Sequence, residues 1–122
     1  MNKLLLSASV VLALCAPALA TDFKTKILQI DGKEIPISAE DKTPLTLGVA
    51  CEQALIATNL VGDNPTPDEK TKRFWLAMKI HDAKQELTAE DVSLAKKVVG
   101  LAYGPLIVGR VTQLLDPASV PK

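Results

Sequence analysis

Two side chains in the body of this 122-residue chain, Cys51 and His81, have the chemistry to make a reactive centre. A thiol beside an imidazole can work as nucleophile and base, and the same pair could supply two ligands to a metal. A metal centre needs three or four ligands, however, and no His-x-x-His, Cys-x-x-Cys or clustered carboxylate set accompanies them. Cys51 stands in the apolar stretch Val49-Ala50-Cys51-Glu52-Gln53-Ala54-Leu55, where a lone thiol packs as a small hydrophobe. The expectation is therefore no catalytic residue, no metal and no cofactor. A small hydrolase using Cys51 and His81 is kept as an alternative.

Other spacings are read the same way. Gly100, Gly104 and Gly109 lack both the strand-to-helix setting of a dinucleotide turn and the lysine that completes a P-loop. Gly104 reads instead as a helix stop, and Gly109 as a place where helices could approach closely. Asp63-Asn64 and Glu90-Asp91 lack the alternating oxygen ligands of a calcium loop, so they read as loop and capping residues. Lys70, Lys72, Arg73 and Lys79 give one helix a basic side, and Lys96 and Lys97 add to the next. Trp75 beside that run makes Lys72, Arg73, Trp75 and Lys79 the candidate partner-binding residues, since tryptophan is favoured at binding hot spots. The partner expected is a protein of unknown identity, and a second copy of the chain is among the candidates.

The elements that must position these residues begin after an N-terminal leader. Lys3 is followed by an apolar run from Leu4 to Leu14 and by Ala18-Leu19-Ala20, the pattern of a signal peptide cleaved between Ala20 and Thr21. A membrane anchor needs roughly 20 consecutive apolar residues, and Pro17 interrupts this shorter run. A lipid anchor on Cys15 would want a small residue where Leu14 stands. Cleavage predicts a periplasmic or secreted product with no stable membrane insertion; the alternative location is the cytoplasm. The remainder, without Lys3, carries 13 basic against 14 acidic residues, and this near neutrality argues against nucleic acid as a partner. Cys51 is then the only cysteine left, so no internal disulfide can form.

Residues 21–116 read as one small domain, mainly α with a minor β part, and 117–122 as a flexible tail. Lys24 to Ile37, interrupted by Asp31-Gly32, predicts a β-hairpin with a type I′ turn, Pro36 confining its second strand to an edge. A polar loop over 38–44 precedes the first of about four helices in a small bundle. Thr46 caps a helix with Leu47, Ala50, Cys51, Ala54, Leu55 and Thr58 on one face, ending near Val61 where Gly62 turns left-handed. Thr66-Pro67-Asp68-Glu69 predicts a capping box with proline at the first helical position. The helix it opens is expected to carry Phe74, Ala77, Met78 and His81 on one side, with Trp75, Leu76 and Ile80 widening the apolar surface, and to end at 83–84. Thr88 to Asp91 predicts a second cap in which Asp91 plays the reciprocal part less well than glutamate, with Leu87 and Val92 as a hydrophobic staple. Val92, Ala95, Val98, Val99 and Ala102 face inward on the third helix. After Gly104-Pro105, Ile107, Val108, Val111, Leu114 and Leu115 do so on the fourth, which Pro117 ends.

Over residues 24–116 the chain resembles small, mostly uncharacterised proteins of tailed-bacteriophage and prophage gene clusters. The resemblance is carried by Asp31-Gly32, Thr46-Leu47-Gly48, Lys72-Arg73-Phe74, Leu76 to His81, Glu86 to Asp91 and Tyr103 to Gly109. It implies a small accessory or assembly protein acting by contact, and brings no catalytic residues with it. Joined to the leader, it predicts an exported, non-enzymatic interaction protein of prophage origin. A cytoplasmic factor of phage morphogenesis or tail assembly is the alternative.

Overall fold

The computed structural model describes residues 21–83 and 85–121, so the expected leader and Ala18 and Ala20 of its cleavage site lie outside the described residues, with Thr21 at their edge. The chain is mainly helical. Four helices, α1 (Leu47–Ile56), α2 (Pro67–Asp82), α3 (Ala89–Ala102) and α4 (Pro105–Leu115), are followed by a 3₁₀ turn at Pro117–Ser119. Helix α1 packs against both α2 and α3, while α4 lies on α3 and the final turn lies on α4. Leu47, Ala50, Cys51, Ala54 and Leu55 of α1 meet Leu76 and Ile80 of α2 and Ala95, Val98 and Val99 of α3 in one aliphatic core. Val111 and Leu115 extend it into α4.

No strand forms among the described residues, which corrects the expected hairpin. Residues 21–46 make a bridged arm held by isolated antiparallel contacts at Lys26–Thr46, Leu28–Glu34 and Pro36–Pro44. The segment at Leu45 sits between two others, with Ile27 N–H donating to Leu45 O at 2.9 Å and Leu45 N–H donating to Ile35 O at 2.6 Å. The third bridge is closed by the neighbours of its prolines, Ile37 N–H donating to Thr43 O at 2.9 Å and Leu45 N–H to Ile35 O, and it does not extend into a ladder because Leu45 O is taken by Ile27 N–H and Thr43 N–H by Asp41 Oδ1. The turn also differs from expectation. Gly32 has φ of 88° while Asp31 keeps a negative φ, and Gly32 N–H donates to Gln29 O at 3.0 Å. That is a three-residue loop with glycine in the left-handed position rather than a type I′ turn. The arm is anchored at Gly48, whose N–H donates to Phe23 O at 2.9 Å, and a Cβ there would stand 3.1 Å from the same oxygen.

The first three helices start at a threonine cap. Thr46, Thr66 and Thr88 accept hydrogen bonds from Val49, Glu69 and Asp91 N–H respectively. The two predicted capping boxes nevertheless exchange quality. Thr88 N–H donates to Asp91 Oδ2 at 3.0 Å and completes its box, whereas no such return bond joins Thr66 N–H to Glu69. Glu69 turns its carboxylate to Arg73 and Lys97 instead. Helix α1 stops at Ile56, five residues before the expected end, because Ala57 turns extended and the chain leaves to form the loop carrying Asp63. Gly62 does take φ of 78°, but inside that loop.

The faces of α3 and α4 agree with the predicted spacing, with Ala95, Val98, Val99, Val111 and Leu115 buried and Val92, Ala102, Ile107, Val108 and Leu114 packed partly against the core. Gly104 forms the N-cap of α4 in extended conformation. Gly109 faces open space rather than a neighbouring helix, since an added Cβ would meet nothing within 4 Å. Polar contacts join α3, the end of α4 and the final turn. Lys96 pairs with Asp116 at 2.9 Å, and Ser119 Oγ–H and N–H both donate to Asp116 O.

Candidate protein-contact surface on the second helix

Helix α2 has sixteen residues, about 24 Å of length at 1.5 Å per residue, and is the longest element described. Arg73, Leu76, Ala77 and Ile80, at positions i, i+3, i+4 and i+7, are the residues it buries. The expected inward face is corrected accordingly: Phe74 is 49% exposed, Met78 42% and Trp75 62%, and His81 is exposed as well. Phe74 and Trp75 touch edge to face with centroids 5.1 Å apart. The helix thus carries a second apolar strip, turned away from the core, on which nothing from the described residues rests. Aromatic and methionine side chains are enriched at protein interfaces relative to the rest of the surface, which makes this strip a candidate contact patch.

The basic side expected here is largely neutralised. Lys79 meets Asp91 at 2.6 Å, so that Asp91 closes a helix cap and an interhelical ion pair together, and Lys72 meets Glu90 at 3.7 Å. These pairs span a groove of about 620 Å³ between α2 and α3, with Trp75, Leu76 and Leu94 among its lining. Arg73 does not belong to the surface at all. It is 3% exposed, its guanidinium donating to both Asp63 oxygens at 2.7 and 2.9 Å and to Glu69, while Lys97 from α3 reaches Glu69 at 3.0 Å. The cluster ties the 57–66 loop to α2 and α3. Half of it was legible, because Glu69 and Arg73 stand at i and i+4 and Arg73 is in phase with Leu76, Ala77 and Ile80. Asp63, from a loop ten residues earlier, carries no such signal. Of the four candidate partner-binding residues, Trp75 alone remains both exposed and free of an ion pair.

The carboxylates of these pairs are held ionised in the fold. The Arg73 hydrogen bond lowers the pKa of Asp63, Lys97 and then Arg73 lower that of Glu69, and Lys96 lowers that of Asp116. At Asp91, burial works in the opposite sense but is outweighed by Lys79 and by Thr88 N–H. A carboxylate whose native pKa lies below its unfolded value contributes stability above the unfolded value and loses it as pH falls through the native one. Stability should hold at neutral pH and fall steadily below about pH 4, the ordinary carboxylate range. Urea midpoints measured between pH 7 and pH 2 check this, and a midpoint that stays level or rises on acidification would refute it.

Cys51 and His81 are not brought into a working pair. Cys51 is 0% exposed and burial pushes its thiol up to about 12, so at neutral pH it is protonated and shielded from solvent. His81 points outward and shares its Nδ1 with Glu52 Oε1 at 3.0 Å. Iodoacetamide at pH 8 should leave the folded protein unmodified and label Cys51 fully in denaturant; rapid labelling of the native form would contradict the burial. Among the described residues no group of three or more His, Cys, Asp or Glu side chains gathers as metal ligands would. Gly100 and Gly109 lie within helices, so the three glycines form no phosphate cradle.

No described helix is long and apolar enough to cross a membrane. No family model matches the chain, and neither a curated protein nor a solved structure matches it either. What the fold and the surface define is a small mainly helical domain with one outward apolar strip on its longest helix.

Proposed function

We propose that this chain is an exported, periplasmic, non-enzymatic protein of prophage origin that acts by protein–protein contact through the outer strip of α2. The observation that carries the reading is the exposure of Phe74, Trp75 and Met78 on the helix face opposite the core. Leaving large apolar side chains in water forfeits roughly 25 cal/mol per Å² that a partner would recover. The leader pattern of residues 1–20 supports export, and the burial of the Cys51 thiol weighs against nucleophilic chemistry at that residue.

Cell fractionation with N-terminal sequencing tests export. A periplasmic product beginning at Thr21 is expected, whereas cytosolic protein retaining Met1 would overturn export and move the reading to phage morphogenesis. Contact is tested separately by placing a photo-crosslinking amino acid at position 75 in cells, where a specific protein adduct is expected and its absence would sink the contact surface. Purified Cys51→Ala should fold and behave as the parent does; an activity that this change abolishes without unfolding the protein would overturn the non-enzymatic reading.

A further inference from the structure

We propose that the partner of the α2 strip is a second copy of this chain, docked about a two-fold axis running parallel to the two α2 helices. This rests on the contact reading above and names its partner. Set out at about 100° per residue, the outward strip runs through Phe74, Pro67, Met78 and Thr71. Lys70 and His81 lie along one edge of it, and Asp82, Trp75 and Asp68 along the other. The lysines farther round, Lys72 and Lys79, are already paired with Glu90 and Asp91 of their own chain, and His81 with Glu52. Among the described residues, Asp68, Lys70 and Asp82 have no ion-pair partner.

One edge is thus acidic and the other holds the free cation, and symmetry turns that asymmetry into a choice. A two-fold parallel to the helices sets each edge against the opposite edge of the other copy at the same height. Lys70 then meets Asp68 of the second copy and Asp68 meets its Lys70, while Trp75 approaches the second copy's Phe74. An antiparallel two-fold sets like edges together, bringing Asp68 against the second copy's Asp82. The surface is self-complementary in the first arrangement and self-repelling in the second.

The area sets the strength. Aromatic side chains bury about 150–250 Å² each when covered completely, so half-exposed Phe74, Trp75 and Met78 supply on the order of 300 Å² per copy, well under the roughly 800 Å² of a standard stable interface. The dimer should be weak and concentration-dependent, with a dissociation constant in the micromolar range.

Sedimentation equilibrium of the purified chain from about 1 µM to about 1 mM tests this, with circular dichroism confirming that each variant stays helical. Wild type should pass from monomer to dimer, and Met78→Glu should be monomeric throughout. Asp68→Lys and Lys70→Asp should each weaken association by about tenfold or more, and an equimolar mixture of the two should recover it as a heterodimer. The doubly exchanged chain, D68K with K70D, should also recover it. A wild type that is monomeric at 1 mM, a Met78→Glu protein that still dimerises, or single exchanges that leave association unchanged would overturn the proposal. In the crosslinking experiment, an adduct of twice the chain's mass supports it. An adduct only with a different protein overturns self-association while leaving the contact reading standing, and no adduct at all overturns both.

Discussion

Arg73→Ala lowers the unfolding free energy by about 3 kcal/mol, the low end for a broken buried ion pair, since the site lies close beneath the surface. The loss comes less from the charge removed than from what it leaves behind. Asp63 and Glu69 keep their carboxylates side by side, with Lys97 as the remaining cation near them. The 57–66 loop loses its tie to α2, so its amides should exchange faster than those of α3. Arg73 Nε is buried without a hydrogen-bond partner, so the cluster carries a desolvation cost even when intact. Removing its charges together should therefore be better tolerated: Arg73→Met with Asp63→Leu and Glu69→Gln should recover a large part of the stability lost by Arg73→Ala alone. Urea denaturation of the single and triple variants decides the matter. A single variant as stable as wild type would show that the buried pairing is energetically idle.

Ile80→Ala and Trp75→Ala, five residues apart on one helix, should have opposite consequences. Ile80 is 1% exposed and sits in the common core of α1, α2 and α3. Truncating it removes about 2–5 kcal/mol through lost burial and the cavity left behind. Trp75 is the larger side chain, yet it faces solvent with Phe74 as its aromatic neighbour. Trp75→Ala should shift stability by no more than about 0.5 kcal/mol, as for ordinary surface positions, while removing the strip's capacity to associate. Thermal melts by circular dichroism, paired with sedimentation, separate the two effects. If Trp75→Ala unfolds the domain or Ile80→Ala leaves it unchanged, the orientation of α2 is the reverse of that described.

The same helix marks the boundary between what is local and what is not. By itself the sequence determined where helices begin, since a threonine oxygen and an N–H three residues later need no other element to find each other. Thr46, Thr66 and Thr88 were readable on those terms, and the Gly104-Pro105 junction through proline's fixed φ at the first helical position. The inward faces of α3 and α4 were readable as well, because each has polar residues on the opposite side and so only one phase that buries its valines and leucines.

Helix α2 has no such asymmetry. Phe74, Trp75, Leu76, Ala77, Met78 and Ile80 surround it almost completely, so several rotations satisfy its own sequence. Tertiary structure chose one of them: α1 and α3 take up Leu76, Ala77 and Ile80, Asp63 arrives from the loop to neutralise a buried Arg73, and the aromatics are left outside. Glu69 lost its capping role and Asp91 gained a second one for the same reason, since each carboxylate bonds to whatever cation the neighbouring element delivers. The arm at 21–46 had alternation enough for strands, but packing sends Leu45 O to Ile27 N–H and the Thr43 N–H to the Asp41 carboxylate, the groups that would have extended the Pro36–Pro44 bridge into a ladder.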